Sequence, residues 1–389
     1  MWLGLLPTLA TSAVISEDTE WSGSRQVRET VRVEKGATLV IAPGSQLEFI
    51  DGHLEVSGTL VADRANFSGA NWQGLVLNHN SSETKISDSK ITGAQTGILI
   101  TGGAPQLTGV VLENNQVGIE LKQQAKATLD NCSFRNNGKV GLFVKEGSNA
   151  IVSNNLFTGN GKFGSYIYRA NPERFANNRF TNNEVGLMIA YLGSQPTIEK
   201  NQFRDNRIAI HVDRAATPQL LGNLLEANDI GIKLQRRADP LVKGNRLQKN
   251  KLGMLICYSS YPQIVGNDFL DNQLALQLEH QSTSWERANG AASREQERIA
   301  HGAFGSKKQP VVDTSAQRLK KLDGTIDARN NWWGATESQQ IASTGTDGNL
   351  PFIHDGLDQP LFHDAGKDYP LDRVRFYPAA QQPQFAESD

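Results

Sequence analysis

One phrase of about 22 residues recurs nearly ten times between residues 74 and 275, and no other property of the chain restricts its fold so strongly. The clearest copies read PTIEKNQFRDNRIAIHV, PQLLGNLLEANDIGIKL, PLVKGNRLQKNKLGMLI and PQIVGNDFLDNQLALQL. Aligned on the small residue before the second apolar triplet, they put Gly74, Gly97, Gly118, Gly141, Gly164, Gly186, Ala209, Gly231, Gly253 and Ala275 in one column, at steps of 21 to 23 residues. A fixed period of this length marks a solenoid, in which one supersecondary unit per repeat stacks on its neighbours.

Within each copy apolar residues alternate, as at Ile208, Ile210 and Val212, and no run has the spacing or length of an amphipathic helix. A leucine-rich repeat shares the period and an asparagine. It needs a helical or looped half, however, which alternation in both halves does not supply. The spacing therefore predicts an all-β chain of about a dozen strand-and-turn rungs, a parallel β-helix.

Two columns are largely asparagine. Asn155, Asn178, Asn201, Asn223, Asn245 and Asn267 each stand two residues before a large apolar residue, and Cys132 takes the same slot one copy earlier. Asn115, Asn183, Asn206, Asn228, Asn250 and Asn272 each stand three before the aligned small residue. Asparagine tolerates a left-handed bend, and its amide can bond local backbone and the same amide one strand spacing, about 4.8 Å, away. Both columns are expected at stacked turns, in a structural role. Pro172, Pro196, Pro218, Pro240 and Pro262 recur just before a strand, where a missing N–H does least harm.

Charge excludes some partners. With 39 basic and 41 acidic residues the net charge is −2, so nothing draws the whole chain to nucleic acid or to an anionic membrane. Cys132 and Cys257 are five to six rungs apart, too far for a disulfide. Residues 2–13, WLGLLPTLATSA, have the apolar core and small-residue end of a signal peptide without its basic start, and are too short to span a bilayer. Export to the periplasm or the cell surface is expected, with no transmembrane segment.

After Asn267 the next Asn-x-aromatic slot is Asn331 with Trp333, 64 residues on (331 − 267), which is one rung plus about 42. The expected organisation is a leader remnant at 1–13, capping rungs at 14–73, regular repeats at 74–280, an inserted loop or lid at 281–325, and a last rung with an irregular capping tail at 326–389. The phrases TVRVEKGATLVIAPGSQLEF and GHLEVSGTLVA ahead of the repeats, and IDARNNWWG after them, resemble the opening and closing rungs of exported bacterial right-handed parallel β-helix proteins. The resemblance covers about residues 15–334. It implies the right-handed form of the fold, and kinship with carbohydrate-active β-helices.

If Ile208, Ile210 and Val212 point inward, His211 and Asp213 point outward, and the same alternation runs through every copy. The first outward column includes Tyr166, Met188, His211, Lys233 and Leu255; the second includes Tyr168, Asp213, Gln235 and Cys257; the next position adds Arg169, Tyr191, Arg214, Arg236, Tyr258 and His280. Such a stripe suits an extended glycan, with rings stacking on sugar faces and Arg or Lys pairing with uronates. The expected ligand-binding set is Tyr166, Tyr168, Tyr191, His211, Asp213, Arg214, Lys233, Arg236, Tyr258 and His280, with a polysaccharide or a partner protein as occupant and no cofactor required.

Three chemistries fit that stripe. Binding without catalysis is the first. A polysaccharide lyase or epimerase is the second, needing a base and an acid flanking a sugar carbon, roles open to His211, Tyr168 and Lys233. No Asp cluster of the calcium-dependent pectate-lyase kind stands on adjacent rungs. Copper is the third: GLMIAYLGSQPTIEKN and GMLICYSSYPQIVGN resemble rungs of the periplasmic β-helical accessory protein of nitrous-oxide reductase maturation. There Met188 and His211 share a column on adjacent rungs, while Cys257 lies two rungs from His211.

Overall fold

The computed structural model describes residues 12–290, 292, 322–346 and 348–386. The repeat folds as three strands separated by turns. Thr197–Glu199, Gln202–Arg204 and Ile208–Asp213 make one turn of the coil. Each pairs in parallel with its counterpart one repeat on, Gln219–Leu221, Leu224–Glu226 and Ile230–Gln235. Three parallel sheets result, one of six-residue strands and two of three-residue strands in the regular region, and no repeat contains a helix. This is the parallel β-helix that the alternation predicts.

The chain forms two compact units, Met1–Tyr166 with Ala170–Arg174, and Ile167–Arg169 with Phe175–Asp389. In the first, the sheet of longer strands starts at Ser12–Ile15, which pairs with Thr30–Val33, and reaches Val140–Lys145. Residues 1–11 of the leader-like stretch lie outside the described residues, and Ser12 and Ala13 belong to that first strand. In the second unit the same kind of sheet runs Val185–Ala190, Ile208–Asp213, Ile230–Gln235, Leu252–Cys257 and Leu274–Glu279, and ends on Ile353–His354.

Alternation puts every second side chain inside. Leu187, Ile189, Ile210, Val212, Ile232 and Leu234 have no exposed surface, and each such burial contributes about 1.5–3 kcal/mol. The aromatic after the first asparagine column stacks within the coil: Phe180 lies 4.7 Å from Phe203, and Phe269 lies 4.6 Å from Trp333, centroid to centroid.

The asparagines form two hydrogen-bonded ladders. In the second unit Asn178, Asn201, Asn223, Asn245 and Asn267 each donate their backbone N–H and Nδ2 to Oδ1 of the next, and Asn267 donates both to Asn331 at 2.8 and 2.9 Å. The other ladder joins Asn183, Asn206, Asn228, Asn250 and Asn272 in the same way. Two features differ from the sequence reading. In the first unit Asn115 is followed by Asn137 and Asn160, which stand four rather than three residues before the aligned glycine, because those repeats carry an extra residue. The left-handed bend falls on the residue before each ladder asparagine, as at Asn177, Lys200 and Gly222, so the ladder amide itself serves the stack.

The two cysteines are free and buried. Residues 283–290 of the insertion are helical, and 291 and 293–321 lie outside the described residues. The tail is more regular than its Asp, Gly and Pro content suggests, with a helix at Ala335–Thr344 and a hairpin of Leu361–Asp364 with Lys367–Pro370. It covers the last sheet edge: Ala275 N–H donates to Phe352 O at 2.9 Å, and Gln384 N–H donates to Asp268 Oδ1 at 2.6 Å.

Candidate functional site

The six-residue strands of the second unit set the columns. Met188 is opposite His211, His211 opposite Lys233, and Lys233 opposite Leu255, while Ala190, Asp213 and Gln235 align beside them. These columns are not open surface, as the outward alternation implied. Met188, Leu255, Asp213 and Cys257 are buried, with Asp213 only 2% exposed. Side chains from the turn just beyond the strand end lie over Asp213.

That turn position holds Arg169, Tyr191, Arg214, Arg236, Tyr258 and His280, and all six are left-handed, with φ between 48° and 79°. A non-glycine residue there costs about 1–2 kcal/mol. Six large side chains thus leave the backbone in one direction, one per rung.

Contacts along this row are aromatic and cationic. The Tyr168 and Tyr191 rings meet edge to face at 4.7 Å. Arg169 Cζ sits 5.5 and 5.4 Å from those two rings, and Arg214 Cζ sits 5.0 Å from Tyr191. Arg236 donates Nε to Asp213 Oδ1 at 2.7 Å and Nη2 to Oδ2, while Arg214 Nε lies 3.8 Å from Asp213 Oδ2. Tyr258 stacks flat on His280 at 5.1 Å, and His280 meets the edge of Phe362 at 5.3 Å.

Electrostatics separate the roles. Burial pushes the His211 imidazole down to about 4, although Asp213 pulls the other way. His211 is therefore neutral at pH 7, and its Nε2 is buried with no hydrogen-bond partner among the described residues. Burial raises Tyr191 and Tyr258, so both phenols keep their protons. Burial, with Glu279 nearby, pushes the Cys257 thiol up to about 12. Among the described residues no group of three or more His, Cys, Asp or Glu is placed to hold a metal ion.

Beside the row lies a cavity of about 200 Å³, lined by Gln235, Arg236, Arg237, Tyr258 and Ser259 from the coil and by Trp285 and Glu286 from the helical start of the insertion. Arg237, Ser259, Trp285 and Glu286 were not among the residues read from the sequence. The insertion has no repeat against which to place Trp285 and Glu286, where the one signal is a lone tryptophan in a polar stretch, whereas Arg237 and Ser259 follow Arg236 and Tyr258 by one residue and the repeat spacing could have added them. Tyr168, Tyr191, Asp213, Arg214, Arg236, Tyr258 and His280 do come together along the row. Tyr166 belongs to the first unit, where its ring stacks on Phe143 at 4.9 Å. His211, Met188 and Lys233 lie in the neighbouring strand column.

Residues 96–234 match the family described as right handed beta helix region, and residues 190–304 match the family described as periplasmic copper-binding protein (NosD). No curated protein matches the chain in sequence. Among solved structures, a double mutant of the periplasmic alginate epimerase AlgG aligns with 13% identity over 95% of this chain and 85% of that one, at a TM-score of 0.53. The A-module of the Azotobacter vinelandii mannuronan C-5 epimerase AlgE4 aligns with 14% identity over 69% and 89% of the two chains, at 0.41. An alginate lyase from a Paenibacillus species aligns with 14% identity over 64% and 92%, at 0.33. No helix among the described residues is long and apolar enough to cross a membrane.

Proposed function

The chain is a right-handed parallel β-helix repeat protein, and on that basis we propose that it is an exported protein of the periplasm or cell surface whose second unit binds an extended acidic polysaccharide without turning it over. The row of Tyr168, Tyr191, Arg169 and Arg214 carries this reading. Ring faces and edges suit the apolar faces of sugars, and the guanidinium groups of Arg169 and Arg214, two rungs apart, suit the carboxylates of alternate residues of a uronate polymer. Strand spacing of about 4.8 Å repeats such contacts along the chain axis.

The absence of turnover rests on the acid–base groups. A useful general base has a pKa near the working pH, whereas His211 is held near 4. Asp213 is engaged by Arg236 and Arg214, and the Tyr191 phenol is raised rather than lowered. Calorimetry with alginate, polygalacturonate and neutral dextran tests the proposal. Binding of the two polyuronates that weakens with salt, none of dextran, and no unsaturated or epimerised product is the expected result. Product formation moves the protein to the lyase and epimerase class, and equal binding of dextran removes the acidic specificity.

A second reading follows from a different observation. His211 offers a neutral, buried Nε2 without a partner among the described residues, its strand neighbour is Met188, and the copper-binding family matches residues 190–304. Imidazole and thioether together suit a soft cuprous ion. Copper retained through gel filtration under reducing conditions, and lost in Met188→Leu, supports this reading; retention unchanged by that substitution argues against it.

A further inference from the structure

The row of turn residues has a closed end. From Arg169 it passes Tyr191, Arg214 and Arg236 to Tyr258 and His280, and there Phe362 of the tail hairpin stands against the His280 ring at 83°. Over Arg236 and Tyr258 the helical start of the insertion adds Trp285 and Glu286 as a facing wall.

That wall is braced. Trp285 Nε1 donates to Asp364 Oδ2 at 2.6 Å, and Asn289 Nδ2 donates to the Tyr369 hydroxyl at 3.0 Å, both within the hairpin. Thr283 N–H donates to Asp372 Oδ1 at 2.9 Å, and Tyr261 OH donates to Asp372 Oδ2 at 2.8 Å. Side-chain contacts therefore tie the wall to the tail and to the coil. The cavity it encloses, about 200 Å³, falls below the roughly 300–1,000 Å³ of sites for drug-sized ligands. It has room for one sugar ring.

Resting on the proposed function, we infer that this cavity is a terminal subsite: the protein recognises the end of an acidic polysaccharide chain and not its interior. A polymer lying along the row reaches Trp285 and Phe362 and stops. Its last residue stacks on Tyr258 or Trp285, with Arg236 and Arg237 facing its carboxylate. Tyr191 and Arg214 hold the residues behind it. Glu286 is buried in the wall beside that ring.

Chain length separates the two modes of binding. Polygalacturonate is cut by mild acid into fractions of known mean length, and calorimetry of the full chain gives moles bound per gram of each fraction. End recognition requires that number to rise in proportion to the count of chain ends, about tenfold for a tenfold cut in length. A value that stays constant or falls as chains shorten overturns the terminal subsite while leaving polyuronate binding intact. No binding of any fraction overturns the proposed function itself. Asp364→Asn keeps the cavity lining and weakens the Trp285 brace. It should lower affinity for short fractions about three- to tenfold, and Trp285→Ala should lower it more. Affinity unchanged in both, with helical and strand signals intact by circular dichroism, places the chain end elsewhere and overturns the assignment.

Discussion

Asp213, at the end of its strand and almost wholly buried, accepts a hydrogen bond at 2.7 Å from Nε of Arg236, which stands one rung on. A carboxylate so placed carries the charge that lets successive arginines stand side by side on the turn row. Asp213→Asn keeps the shape and removes the charge, leaving Arg236 and Arg214 facing each other without it. Removing one partner of a buried pair costs about 3–5 kcal/mol. With the Arg236 side chain 36% exposed, the expected loss is about 1–3 kcal/mol in urea unfolding. A midpoint equal to wild type would show that the pair contributes nothing to folding.

The ladder is more demanding than any one of its bonds. Asn223 donates to Ile198 O and to Asn245 Oδ1, and accepts from the backbone and side chain of Asn201. Asn223→Leu preserves volume and strands these partners inside the coil. At about 1–3 kcal/mol for each buried group left unsatisfied, destabilisation of about 3 kcal/mol or more is expected in denaturant titration, and less than 1 kcal/mol contradicts the ladder as a stabilising element.

His211 makes stability depend on pH. Its folded value, about 4, lies below the usual 6.5 because burial outweighs the pull of Asp213, with Lys233 and Arg236 adding to the fall. Between those values the unfolded chain binds a proton that the folded chain refuses. The His211 contribution is thus flat above about pH 6.5 and declines as pH drops toward 4, by about 3 kcal/mol in full. Subtracting the His211→Gln curve isolates this contribution, since Asp355 and Asp372, raised by burial, act alike in both proteins. Parallel curves for the two would remove His211 as the source.

Tyr191→Ala and Arg214→Ala should each weaken polyuronate binding about tenfold, as truncating a central contact usually costs more than about 1 kcal/mol. Glu120→Ala is the control. Glu120 pairs with Lys145 at 2.7 Å in the first unit, and its loss should leave binding within a factor of two. Losses of one size at all three positions would locate the ligand off the row.

Much of this is legible in the sequence, and for a physical reason. A coil that adds one rung at a time must repeat its solution, so Asn201, Phe203 and Ile210 each announce a slot that recurs. What escaped was whatever breaks the repeat. Two repeats with one extra residue shifted Asn137 and Asn160 out of their column. Alternation assigned Asp213 to the outer face correctly, yet could not show that left-handed neighbours would fold over it. Trp285 and Glu286 belong to a segment without period, where sequence spacing carries no spatial meaning.

The side-chain bond from Asn267 to Asn331 spans 64 positions of sequence at 2.9 Å, the length of the bond from Asn223 to Asn245 that spans 22. Each rung is therefore held by the rung beneath it, whatever route the chain takes between them. That makes the joint after Glu279 a splice point. An excursion leaving there can lengthen, shrink or be exchanged for a foreign one while the coil below keeps its register, so a wall against the turn row can be swapped without redesigning the scaffold that presents it.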